Sequence, residues 1–207
     1  VRDSQFFLDF FLSQQCGTII TTTRHKGGDY MTQLATASNG VTVAPTVRSI
    51  EEARALAPHF PAVLTVGPSF TEADFGHANH LVLPFADTID PRHPRRPQRQ
   101  DVERIIEFGR ANGEDMLIHC HMGISRSTAA AVTVLVARGV DPAEAARTLA
   151  DIHPATRPFA PNDLIIELAA DLLDEPHLPY IVREHERYFA KWHFGKYAPS
   201  PGMRLGR

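Results

Sequence analysis

At 207 residues the chain has the length of one α/β domain with tails rather than of two domains. Hydrophobic residues at 43% and charged residues at 22% exclude wholesale disorder and fibrous classes. A net charge of −3, from 21 basic and 24 acidic residues, argues against overall attraction to nucleic acid or to an anionic membrane.

The first forty residues are expected to form an N-terminal extension (1–40), either disordered or with a short amphipathic helix over VRDSQFFLDFFLSQQC. Asp3 and Asp9, and the lack of a basic n-region leading to a small-residue cleavage site, argue against a signal peptide, and Met31 offers an alternative start. VTVAPTV (41–47) is rich in β-branched residues and predicts one strand. Ser49 and Glu52 have the spacing of a capping box, which predicts a short helix closed near Pro61. AVLTVG (62–67) and HLVLPF (80–85) are short apolar runs bounded by Gly and Pro, the pattern of neighbouring strands buried in a sheet. Prolines at 91, 94 and 97 then forbid regular structure, and Arg92, Arg95, Arg96 and Arg99 fall in that loop. The ordinary meaning of such a run is a solvated loop; an acidic substrate is the sharper reading. A helix is predicted from Asp101 to about Asn112, a strand over MLIHC (116–120), and a mostly buried helix from Arg126 to Arg138 ended by Gly139. Asp141 and Pro142 open the next helix, PNDLIIELAADLL (161–173) gives another, and LPYIVREHERYFAKWHF the last. Alternating strands and helices predict an α/β fold with a central, mostly parallel sheet flanked by helices.

Cys16 and Cys120 stand far apart with no CxxC, so neither a disulfide framework nor a cysteine-rich zinc site is expected, and a reducing cytoplasm fits best. Eleven histidines form no HExxH or paired ligand spacing, so no metal and no cofactor are expected. The longest near-apolar run, 127–137, falls short of the roughly 20 residues a membrane span needs.

One stretch carries chemistry: LIHCHMGISRST (117–128) places a cysteine between a strand and a helix, in a turn that ends in arginine. Unpaired backbone N–H groups and the positive end of the helix dipole converge at such a turn, and Gly123 lets the backbone fold closely enough to cradle an anion. The same field stabilises a thiolate, which makes Cys120 a nucleophile. Six positions on, the planar fork of Arg126 suits two oxygens of a tetrahedral oxyanion.

HCHMGISRS resembles the His-Cys-x-x-Gly-x-x-Arg-Ser/Thr signature of cysteine-dependent protein tyrosine and dual-specificity phosphatases, matching at His119, Cys120, Gly123, Arg126 and Ser127. The resemblance spans about residues 41–175, a phosphatase domain most like the short bacterial predicted tyrosine phosphatases, with 1–40 and a C-terminal helix and tail (176–207) outside it. It implies the cysteine phosphatase fold and a phosphocysteine formed on Cys120. Arg126 would hold the phosphoryl group, Ser127 would help the thiolate leave, and His119 would order the loop. The backbone of His121, Met122, Gly123, Ile124 and Ser125 would bind phosphate. The family needs an upstream aspartate as general acid; Asp87, 33 positions before the cysteine (120 − 87), fits, with Asp90 in reserve. APND (160–163) resembles the segment that supports the phosphate loop, which makes Asn162 a supporting residue. The order of motifs disfavours the low-molecular-weight tyrosine phosphatases and arsenate reductases. The loop has no lysine of the kind phosphoinositide-directed relatives use, so the expected partner is a phosphorylated protein or a small phosphomonoester. Two rivals remain at this point: a sulfurtransferase-like thiol enzyme and a non-catalytic phosphoprotein-binding module.

Overall fold

Strands buried on both faces need apolar side chains in both directions, and Val63–Val66 and Leu117–Cys120 are buried at every position. A computed structural model of the chain describes residues 43–67, 75–113 and 115–194, together with the strand backbone at 9–11, 20–25, 28–37 and 40–43. Four antiparallel strands come first: β1 (Asp9–Phe11), β2 (Ile20–His25), β3 (Gly28–Ala37) and β4 (Gly40–Val43). At these residues they stand where the sequence predicts helix or disorder; the rest of residues 1–40 lies outside the described residues. The β-branched run Ile20–Thr23 favours extended backbone, and pairing in hairpins satisfies its N–H and C=O groups. The single strand expected over 41–47 is also corrected, because it breaks at Ala44-Pro45 between β4 and β5 (Thr46–Ser49), which belong to different sheets. Proline has no N–H to give to a continuing ladder.

The second sheet contains β5, β6 (Val63–Val66), β7 (His80–Leu83) and β8 (Leu117–Cys120) in the order β5-β8-β6-β7, and every pairing is parallel. α1 (Ile50–Leu56) follows β5, capped by Ser49 and Glu52 in the expected box. The other helices are α2 (Arg99–Ala111), α3 (Arg126–Ala137), α4 (Pro142–Ile152), α5 (Asp163–Leu173) and α6 (Leu178–Phe194). Because successive strand residues face opposite ways, Leu64, Val66, Ile118 and Cys120 enter the large core that includes α3, while Val63 and Leu117 join Ala53, Leu56 and Phe60 beneath α1. α3 is buried along its whole length. α2 approaches it at Gly109, where an added Cβ would stand 2.8 Å from Val134 Cγ2. α6 contributes Leu178, Val182 and Phe189 to the same core. No helix among the described residues is long and apolar enough to cross a membrane.

This order puts the loops after β5, β7 and β8 at one edge, the carboxyl ends of parallel strands, where open α/β sheets hold their ligands. At the opposite edge Arg138 ties α3 to its neighbours, donating to Gly109 O at 3.0 Å and to Val43 O at 2.9 Å. Asp115 lies half-buried nearby, with a buried Oδ1 that has no hydrogen-bond partner. Burial pushes its pKa up to about 6, against the pull of the Met116 N–H and of Arg138 and Arg48. The unfolded chain therefore releases this proton first, and stability is lost as pH rises from about 4 to 6. Asp115→Asn should be neutral near pH 4 and stabilising at pH 7.5, by at most about 3 kcal/mol, in denaturant unfolding at the two pH values.

Candidate active site

The strand-to-helix turn places Cys120 at the end of β8 and Arg126 at the first position of α3. Gly123 adopts φ 72°, a left-handed conformation, and a Cβ there would lie 2.8 Å from the carbonyl carbon of Arg48 and 2.9 Å from Ser49 N. Only glycine lets the loop close against the end of β5. His121 O accepts from Ile50 N at 3.2 Å on that side. On the other side Ile124 O and Ser125 O accept from Ala160 N and Asn162 N, at 3.4 and 3.2 Å.

Cys120 is 3% exposed, and its Sγ receives the Gly123 N–H at 3.2 Å and faces Ser127 Oγ at 3.1 Å. Burial by itself would raise the thiol's pKa. The Ser127 hydroxyl and N–H, the Arg126 charge and the Ile124 N–H outweigh it, and the net shift is downward.

Arg126 is 5% exposed. Its Nη1 donates to Phe85 O at 3.1 Å, and its buried Nε has no hydrogen-bond partner. Asp87 Oδ2 stands 3.9 Å from that Nε, an ion pair without a hydrogen bond. Burying a cation with an unmet donor is costly, so the arrangement is suited to an anion that accepts from it.

The sequence left Asp87 and Asp90 as alternatives, and the structure separates their positions. Asp87 Oδ1 accepts from Ser125 Oγ at 2.8 Å and from Asn162 Nδ2 at 2.9 Å, which anchors it to the cysteine loop. Asp90 Oδ1 instead accepts from the N–H of Arg92 at 2.9 Å and its Nε at 3.4 Å, in an exposed turn. Asn162 is buried and caps α5 through Oδ1, which accepts from Ile165 N at 3.2 Å. One residue thus joins helix, loop and aspartate, the helix and the aspartate through its side chain and the loop through its backbone N–H.

His119 is fully buried, and desolvation pushes its pKa down to about 4, so the ring is neutral near pH 7. Its contact with Thr65 was not foreseen; only the register of β6 and β8 sets Thr65 opposite it. A second unforeseen link is the pair formed by Arg157 Nη1 and Glu52 Oε2 at 2.7 Å. Burial works to raise the Glu52 pKa, but the bonds from Arg157 and Ser49 prevail and hold it near about 2. A cavity of about 270 Å³ opens beside the loop, lined by Ser49, Ile50, Glu51, His121, Met122 and Arg157.

No protein-family model matches the chain, and no curated protein matches it. Among solved structures the chain is similar to DUSP15, at 20% identity and a TM-score of 0.47 over 68% of this chain and 91% of that one. It is also similar to Tk-PTP in its active form, at 22% identity and a TM-score of 0.45 over 61% and 87%. A third likeness is to the Yvh1 phosphatase domain from Chaetomium thermophilum, at 18% identity and a TM-score of 0.38 over 81% and 99%.

Removing the hydroxyl that faces Sγ should raise the thiol's pKa. Ser127→Ala should move the midpoint of Cys120 alkylation with pH upward by about 1 unit, read by mass spectrometry; an unmoved midpoint would show that Ser127 does not stabilise the thiolate.

Proposed function

We propose that the protein hydrolyses phosphomonoesters through a phosphocysteine on Cys120, acting on protein phosphotyrosine and admitting phosphoserine and phosphothreonine. The observation that carries this reading is the convergence on one buried loop of a thiol with a lowered pKa, a guanidinium whose Nε has no hydrogen-bond partner, and an aspartate tied to the same loop.

In the first step the Cys120 thiolate attacks phosphorus. The S–P bond forms, the bond to the leaving oxygen breaks, and Asp87 gives that oxygen its proton. Arg126 and the backbone N–H groups of residues 121–126 hold the three equatorial oxygens as their charge redistributes. In the second step the Asp87 carboxylate takes a proton from water as its oxygen attacks phosphorus. The S–P bond breaks, inorganic phosphate leaves, and the Ser127 hydroxyl stabilises the departing thiolate. Asn162 positions Asp87, and His119 shapes the strand end that carries Cys120. The position of Asp90, bonded to Arg92 in an exposed turn, favours Asp87 as the acid. The protein acts on this reading as a tyrosine-phosphatase-like enzyme related to the dual-specificity group. The loop HMGIS, which lacks lysine, supports a single phosphomonoester over a polyphosphorylated headgroup.

Hydrolysis of aryl phosphates in EDTA tests the reading. Cys120→Ser should lose roughly 10⁴-fold or more in kcat, and Arg126→Ala about 10²–10³-fold in kcat/KM. A wild type without activity, or a Cys120→Ser variant that keeps its rate, would falsify it. Asp87→Asn should lose about 10²-fold on phenyl phosphate and much less on a nitrophenyl ester, whose leaving group needs little protonation. Equal losses on both esters would take the acid's role away from Asp87. A phosphopeptide panel reads residue preference.

A further inference from the structure

His119 and Cys120 are adjacent on β8, so they face opposite sides of the sheet. The thiol lies on the α3 side. The imidazole lies on the α1 side with Thr65, its register partner on β6. His119 Nε2 is 2.6 Å from Thr65 Oγ1, and the same oxygen is 2.7 Å from Nε2 of His80 on β7. His119 Nδ1 stands 3.4 Å from the carbonyl oxygen of Cys120 itself. Phe75 stacks on His80 with ring centroids 5.7 Å apart and planes within 3°, and lies tilted against His119 at 5.0 Å.

The two short contacts at Thr65 Oγ1 fit donation in either direction, and the approach of Nδ1 to a carbonyl oxygen favours one of them. A carbonyl only accepts, so Nδ1 of His119 carries its proton. The ring is fully buried, and the charges acting on it from α1 and β7, Arg54 and His80, both oppose a second proton. Nε2 is therefore an acceptor. The Thr65 hydroxyl has one hydrogen, which Nε2 takes, so at 2.7 Å the oxygen must accept from His80 Nε2–H.

We propose that His80 is a positioning residue which, through Thr65, fixes the tautomer of His119 so that Nδ1–H holds the Cys120 carbonyl and favours the thiolate. Three donors run in one direction, from His80 to Thr65 to His119 to the Cys120 C=O, and each polarises the next. The positive end of this chain lies beside the residue that bears the thiol. Phe75 keeps the His80 ring in the plane the chain requires.

The role of His80 rests on the thiolate nucleophile proposed above, but its test reads the thiol rather than turnover. In a Cys16→Ser background, the rate of Cys120 alkylation by iodoacetamide is measured against pH. His80→Phe keeps the stacking on Phe75 and removes the donor, and should raise the midpoint by about 0.5–1 pH unit. His80→Gln, which keeps an N–H donor, should stay near the parent. Thr65→Val should reproduce the His80→Phe shift, and the double variant should add nothing to it, because both break one chain. A parental midpoint in His80→Phe, or shifts that sum in the double variant, would overturn the proposal. If Thr65→Val does not fold by circular dichroism, the Phe and Gln variants at position 80 decide alone. Shifts found in a protein without phosphatase activity would keep the relay and remove the enzyme; an active protein without shifts would do the reverse.

Discussion

A guanidinium that is 5% exposed at the start of a fully buried helix is the constraint on which this molecule is organised. Taking a cation out of water costs several kcal/mol unless its surroundings compensate, and Arg126 gets a carbonyl from Phe85 and an ion pair with Asp87. Both partners come from the segment after β7, on the edge strand of the sheet farthest from β5. The strand order brings that segment across to the cysteine loop. The aspartate is then pinned by Ser125 and Asn162, so the charge that balances Arg126 is held against the cysteine loop.

The thiol poses the complementary problem. Burial favours the protonated thiol, and here the Ser127 donors and the neighbouring guanidinium lower its pKa against that pull. Gly123 makes this possible, since its left-handed backbone brings an N–H onto Sγ at 3.2 Å while the loop rests against Arg48 and Ser49. Each part stabilises an anion that the others also need. The loop is accordingly held from both sides, by Ile50 N on one and by Ala160 and Asn162 N–H groups on the other.

The α1 face of the sheet supports the same loop from behind. His119 cannot reach solvent, so its protonation state is set by its neighbours rather than by bulk pH. Thr65 and Phe75 meet it there from separate segments, and His80 meets Thr65.

Chain order and local chemistry alone determined that a strand, a glycine turn and a buried helix would surround Cys120. Period-two and period-3.6 patterns depend on near neighbours, and so do caps such as Ser49-Glu52 and Asp141-Pro142. The signature residues share one short loop, and a spacing of a few residues is legible without a fold. The antiparallel strands β1 to β4 and the break at Pro45 are not legible in the sequence, because strand pairing depends on partners distant along the chain. The choice between Asp87 and Asp90 was likewise closed to sequence, since both are turn aspartates and only contact with Ser125 and Asn162 distinguishes their surroundings. The same holds for Thr65 and His80. Nothing local marks them, and it is the parallel packing of β6 between β7 and β8 that brings Thr65 to His119 and His80 to Thr65. Local sequence specified the loop that carries the cysteine and the arginine, while tertiary structure decided which donors and charges face them, because hydrogen bonds and ion pairs act over a few ångströms whatever the separation along the chain.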